Sequence, residues 1–335
     1  MATVFATTSP LSALELEKAL KWLKTFRSPG KQYLEAANKI RVTETALSLY
    51  SYTDHIEASY HLDYPSGIPN GLYDLLEVIP LLYGPKLSIE EEAGGIRVNH
   101  LPLPRIEGFD LPVWDLGEPI SESRPMTEKM WKWLKAHTVN EIHRPSLAGI
   151  AMLENGWEAC TGSALALTPG YIAPGAALAV IPPVPLGDGT ITCYPRHFKW
   201  ELGNKQVTGQ LIDAQYPDLS GNTETAMRTE WDASTTLEYK TVADWVKMAV
   251  TLSKDAKIPG VNLTTGEVQT GNIPAHISPL VEADFSLAVN STLISAFVKN
   301  LPIKGEITID LSENKATRWR SGECKALILG LRELV

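Results

Sequence analysis

The chain has 335 residues, 44% of them hydrophobic and 21% charged, with a formal net charge of −9 at pH 7. This is an ordinary composition for a globular protein, long for one core and comfortable for two or three. It holds no apolar run of about 18 residues to span a membrane. Met1 to Leu14 has neither the basic start nor the long apolar centre of a secretory signal. Cys160, Cys193 and Cys324 are odd in number and widely spaced, so neither a disulfide frame nor a zinc site is expected, and a cytoplasmic setting fits. The Asn262 and Asn290 sequons are then coincidental.

In chain order, Leu14 to Arg27 comes first. Leu16, Ala19, Leu20, Leu23 and Phe26 recur at helical spacing, and Lys18, Lys21 and Lys24 lie off that stripe. Tyr33 to Asp63 has strand character, broken near Thr53-Asp54. A helical segment, Leu72 to Ile79, leads through a small-residue turn into a hairpin of Lys86–Glu90 and Gly95–Asn99. Pro102 to Pro112 is expected to be a proline-punctuated crossing, and Gly117-Glu-Pro a boundary.

Met126 to Val139 then repeats the first helix, with Trp133-Leu134-Lys135 where the first copy has Trp22-Leu23-Lys24. Leu147–Leu153 and Trp157–Leu167 are expected strands around a turn at Asn155-Gly156. Pro174 to Pro183 is interrupted by proline and is expected to be a degraded helix. Thr190–Tyr194, His197–Leu202 and Lys205–Asp213 follow as strands, and the small, polar Ser220 to Thr225 marks a second boundary.

Lys240 to Ser253 is the third copy, with Trp245-Val246-Lys247 in the same place. Strands are expected at Gly260–Leu263, Glu267–Thr270, Ala283–Val289, Gly305–Leu311, Ala316–Arg320 and Cys324–Leu331, with a helix at Ser291–Lys299. A second anchor supports the repeat: Ile79–Ile89, Ile181–Ile191 and Asn300–Ile309 each turn into an alternating strand. The expected organisation is three tandem α+β domains with antiparallel sheet, at 1–118, 119–222 and 223–335.

The repeated helices carry Lys18, Lys21, Lys24 and Arg27, then Lys129, Lys132 and Lys135, then Lys247 and Lys254. Carboxylates gather elsewhere, at Glu90-Glu91-Glu92 and from Glu107 to Asp115. One such lysine row is ordinarily a solvated face, since like charges three apart repel by only about a few tenths of a kcal/mol. Recurrence points instead to an extended anion running past all three domains.

Further residues carry a family likeness. Leu47-Ser-Leu-Tyr-Ser-Tyr-Thr-Asp-His-Ile-Glu57 resembles an L-S-L-x-x-T-D-L-E pattern, with one extra residue before Thr53. Gln210-Leu-Ile-Asp-Ala-Gln-Tyr-Pro-Asp218 resembles K-L-V-D-G-x-F-P-D. Phe285 to Asn290, a helix ending near Leu301, and Ala326 to Arg332 resemble a third-domain ending in M-P-M-R-L. In this order, with the threefold repeat, the chain resembles the bacterial DNA polymerase III β subunit, the sliding clamp, over essentially its whole length.

That resemblance implies a head-to-tail dimer closing a ring of six similar domains, with sheets outside and helices lining a hole for duplex DNA. Contacts to DNA would be to phosphates and independent of sequence, for which flexible lysine serves better than bidentate arginine. It also implies a groove for short hydrophobic peptides of polymerases and clamp loaders. By position the groove residues are Leu147, Gly162, Leu165, Pro217, Leu327, Leu329, Leu331 and Arg332. Leu327, Leu329 and Leu331 alternate and are expected on one strand face, although plain core packing accounts for leucines equally well. Ser163 and Ala164 replace the family's His-Arg pair, Gly330 replaces its proline, and the tail runs on to Val335.

An enzyme is not expected. No P-loop, H-E-x-x-H or G-x-S-x-G motif occurs, the histidines are scattered, and Asp54 and Glu57 have the look of strand-edge charges. No catalytic residue, metal or cofactor is assigned. The alternative is a diverged clamp-fold module that binds proteins without encircling DNA.

Overall fold

Ser12 starts the first helix, α1 (Ala13–Lys24), by accepting the Glu15 amide on its side chain at 3.1 Å. Such a cap contributes about 1 kcal/mol. Ala13, Leu16, Ala19, Leu20 and Leu23 form the buried stripe. In this computed structural model the described residues are 11–28, 38–63, 65–82, 87–109, 111–139, 143–154, 156–168, 177–270, 275–322 and 324–331.

The rest of the first third is β1 (Ile40–Val42), β2 (Ala46–Ser51), β3 (Ile56–His61), β4 (Gly71–Tyr73), a 3-10 turn at Leu75–Leu81, β5 (Ile89–Glu92), β6 (Gly95–Val98) and β7 (Leu101–Pro104). The middle third has β8 (Arg124–Met126), α2 (Glu128–Lys135), a 3-10 turn at Pro145–Ala148, β9 (Ile150–Leu153), β10 (Gly156–Cys160), β11 (Ala164–Leu167), β12 (Ala177–Ile181), β13 (Gly189–Cys193), β14 (His197–Leu202) and β15 (Lys205–Gln210). Next come α3 (Ser220–Met227), β16 (Ala233–Glu238), α4 (Tyr239–Ser253), β17 (Gly260–Asn262), β18 (Glu267–Val268), β19 (Ala275–His276), β20 (Ala288–Asn290), α5 (Ser291–Asn300), β21 (Glu306–Ser312), β22 (Ala316–Ser321) and β23 (Cys324–Leu329).

The threefold repeat is written in the sheet order. The first strands of each third pair as β4-β1-β2-β3, β12-β9-β10-β11 and β20-β17-β18-β19, one pattern three times. The later strands pair as β8-β13-β14-β15, β16-β21-β22-β23 and β5-β6-β7. Two antiparallel joints then fuse half-sheets from successive thirds into eight-stranded sheets: β3 with β15, and β11 with β23. Compactness follows these joints. One unit is Met1–Met126 with Val184–Leu211, the other Thr127–Pro183 with Ile212–Val335.

Four local expectations need correction. The segment before Pro182 is no remnant helix where described: Ala177–Ile181 is strand β12, paired to β9, because Val180 and Ile181 are buried on opposite faces of the sheet and Pro182 ends it. The small, polar stretch at Ser220 is helix α3, started by Asp218, whose side chain accepts the Ser220 amide at 3.0 Å, and held down by buried Thr223 and Ala226. The segment at Pro102 is not simply a crossing, since β7 pairs with β6. Leu72 to Ile79 forms β4 and a 3-10 turn rather than an α-helix, with Pro80 inside the turn. The turn residue Asn155 lies outside the described residues.

Candidate nucleic-acid and peptide interfaces

The lysine helices are built alike. Thr127 caps α2 by accepting the Met130 amide at 3.2 Å, and Trp131, Trp133 and Leu134 are buried. In α4, Val242, Trp245, Val246, Ala249 and Ser253 are buried. Lys18, Lys21, Lys24, Arg27, Lys129, Lys132, Lys135, Lys247 and Lys254 are all exposed. Lys21 and Lys24, and Lys132 and Lys135, fall in last helical turns, where a cation complements the helix dipole. Glu17 pairs with Lys21 at 2.6 Å, and Glu128 pairs with Lys132, each one turn away on its own helix.

In the second unit, α2 and α5 meet through Trp133 and Phe297, with ring centroids 6.3 Å apart, and Phe297 lies 5.9 Å from Trp319 on β22. The helices therefore cover the Trp319 face of that sheet. The cross-strand register puts the residues of the expected groove on the other face. Leu165 stands opposite Leu327, Leu327 opposite Arg318, and Arg318 opposite Asp310. Across β9, β10 and β11 the same face carries Ala151, Glu158 and Leu167.

Leu147, Leu165 and Leu327 do come together there, in one buried cluster with Ala151, Leu153, Leu167 and Val180. Tyr216 and Ala226, from the segment holding α3, belong to it too, and Ile212, Leu219 and Trp231 pack against it part-exposed. Gly162 forms the β10–β11 turn at φ +87, and a Cβ there would lie 3.1 Å from the Arg144 guanidinium. Pro217 is half-buried beside Tyr216. Leu329 is 39% exposed and outside the cluster. Leu331 does not share the strand face: β23 ends at Leu329, and the Leu331 amide donates to the carbonyl of Ala288, the first residue of β20. Arg332 lies outside the described residues.

Beside the apolar half of this face lies a polar half that no sequence motif marks. Arg318 donates to Asp310 at 2.8 Å and to the Ala226 carbonyl at 3.1 Å, while Arg320 reaches Asp310 at 3.0 Å. Arg228 and Arg318 stack on Trp231, 4.0 and 4.8 Å from its ring centre. Its only trace in the sequence is the alternation Ala316, Arg318, Arg320. Glu158 is the anomaly of the apolar half. Burial pushes its carboxyl up to about 7, although the neighbouring Tyr216 hydroxyl favours the charged form. Among the described residues no group of three or more His, Cys, Asp or Glu could hold a metal ion, and no helix is long and apolar enough to cross a membrane.

No family model and no curated protein matches this sequence. Solved structures do. The Pseudomonas aeruginosa DnaN sliding clamp bound to griselimycin superposes with a TM-score of 0.74 at 15% identity, covering 96% of this chain and 98% of that one. The Thermotoga maritima DNA polymerase III β subunit gives 0.73 at 11% identity, with 96% and 98% covered. The Helicobacter pylori β clamp bound to a DNA ligase peptide gives 0.71 at 15% identity, with 96% and 99% covered. Repeat, sheet order and superposition agree: this chain has the fold of the bacterial DNA polymerase III β sliding clamps, at the low identity of a divergent sequence.

Proposed function

We propose that this protein is a DNA sliding clamp, a processivity factor that closes around duplex DNA as a head-to-tail pair and tethers polymerase and loader subunits by short hydrophobic peptides. The observation that carries this reading is the rule of the joints. Each internal joint unites the first half-sheet of one third with the second half-sheet of the next. The rule leaves one half-sheet of each kind over, ending at β19 and at β7, neither with an outer partner strand among the described residues. A second copy placed head to tail satisfies both by the same rule.

The exposed cations on α1, α2 and α4 support the DNA half of the proposal. On a chain of net charge −9 they concentrate positive charge on one repeated element, suited to weak, sequence-independent phosphate contacts. The cluster of Leu147, Leu165 and Leu327, on the sheet face away from α2 and α5, supports the peptide half. The test is retention on DNA. A closed clamp stays on nicked circular duplex and runs off linear duplex; equal loss from both overturns the reading. The ion pairs of Glu17 with Lys21 and Glu128 with Lys132 favour a second reading, a clamp-fold module that binds proteins without encircling DNA. A monomer that binds apolar peptides but is not retained on circles is its signature.

A further inference from the structure

The free edge of β7 departs from its two counterparts in a way that bears on how copies join. In the ladder with β6, the Arg105 amide donates to the Gly94 carbonyl at 2.8 Å. With strict alternation, Leu101 and Leu103 also turn their main-chain groups toward β6, opposite Val98 and Ile96. Pro102 and Pro104 therefore turn theirs outward. A proline has no N–H, so this edge offers carbonyls and no donor. The next outward amide, Ile106, is already spent on the Leu72 carbonyl at 2.9 Å.

The counterparts at the internal joints are complete. Counted from the hairpin turn, Pro102 and Pro104 stand where β15 has Gln206 and Thr208 and where β23 has Lys325 and Leu327. Gln206 and Thr208 face Ser59 and Glu57 of β3, and Lys325 and Leu327 face Leu167 and Leu165 of β11. The amide of Leu329, next in that outward series, donates to the Ser163 carbonyl at 2.9 Å, which shows the direction in which these groups point. Each such residue can both give and accept a main-chain bond across its joint.

We infer that the joint between copies is one-sided: the β7 carbonyls accept from a partner's β19, nothing returns, and the ring of the proposed clamp opens far more readily than its internal joints. The occupant is a second copy of this chain, because β19 ends the one half-sheet whose kind β3 and β11 share. On β19, Ile277 donates inward to Gly266 at 2.9 Å, so His276 presents its amide outward, toward an acceptor edge. An acceptor-only edge suits that strand and disfavours copies of β7 pairing with each other.

This rests on the two-copy reading above, and the experiment separates the two. Self-association is measured by sedimentation velocity over a dilution series for the full chain, for Pro102→Thr with Pro104→Thr, and for a control, Pro112→Thr with Pro119→Thr. The wild type and control are expected to dissociate on dilution. The β7 variant is expected to associate roughly tenfold or more tightly, through the restored main-chain bonds. Circular dichroism of the diluted β7 variant checks that its fold is unchanged. Equal, tight association of all three overturns the one-sided joint and leaves the clamp reading standing. Absence of association in all three overturns the two-copy reading, and this inference with it.

Discussion

Asp310 and Arg318 stand directly opposite one another on β21 and β22, joined by a hydrogen bond of 2.8 Å, with side-chain exposures of 3% and 7%. The same carboxylate takes Arg320 at 3.0 Å and the Ser234 hydroxyl at 2.7 Å. Removing the acid strands two guanidinium groups. Asp310→Asn is expected to lower unfolding stability by roughly 3–5 kcal/mol, as for other broken buried pairs. Replacing the pair together, Asp310→Leu with Arg318→Met, is expected to cost less. Urea unfolding of the wild type and the two variants checks the order. Burial by itself would raise the Asp310 pKa, but the hydrogen bonds from Arg320, Ser234 and Arg318 outweigh it and hold it low. This contribution is therefore present above the ordinary aspartate range and lost as pH falls through the lowered value.

Glu158 has the opposite sign. Its folded pKa, about 7, lies above the ordinary 4.5, so folding favours the protonated form. Stability is fully retained below the unfolded value and declines as pH rises from about 4.5 to 7, by roughly 3 kcal/mol. Glu158→Gln is expected to match the wild type at low pH and exceed it at pH 8. Unfolding midpoints across that range test the claim, and a pH-independent difference would refute it.

The lysine rows make an electrostatic prediction. Lys21, Lys24, Lys132 and Lys135 are exposed and off the buried stripes, so their replacement by glutamate is expected to spare the fold. DNA association should be lost at low salt, and for single replacements the slope of log affinity against log salt should fall by about 0.9 per phosphate contact removed. Unchanged binding would mean that these rows are only solvated faces.

Two leucines of the β11–β23 region separate groove from surface. Leu165 is buried in the cluster and Leu329 is 39% exposed. Leu165→Ala is expected to cost about 2–5 kcal/mol of stability and to weaken binding of a short apolar peptide. Leu329→Ala is expected to leave stability within about 0.5 kcal/mol. The fluorescence of Trp231, which packs part-exposed on the cluster, provides the binding readout.

Particular residues show where sequence reasoning succeeds. The stripe Leu16, Ala19, Leu20 and Leu23 is a local signal, and the helix forms where it points. The β5–β6 and β13–β15 strands follow from alternation in the same way. β12 and α3 escape it because a proline-flanked apolar run and a small polar run are compatible with several local states, and packing selects among them. Of the buried cluster, the family resemblance names Leu147, Leu165 and Leu327. It does not name Tyr216, Trp231 and Glu158, because what joins them is a sheet face shared by strands distant in sequence.

By itself, the sequence determined the three-part repeat, the helices with their lysine rows and the alternation of most strands, because periodicity records which side of an element is to be buried. Only the tertiary structure decided what each side is buried against. It set β3 on β15 and β11 on β23, turned Arg318 toward Asp310, and left Pro102 and Pro104 facing outward on an open edge. Those choices rest on hydrogen-bond register between remote segments, which no local pattern specifies.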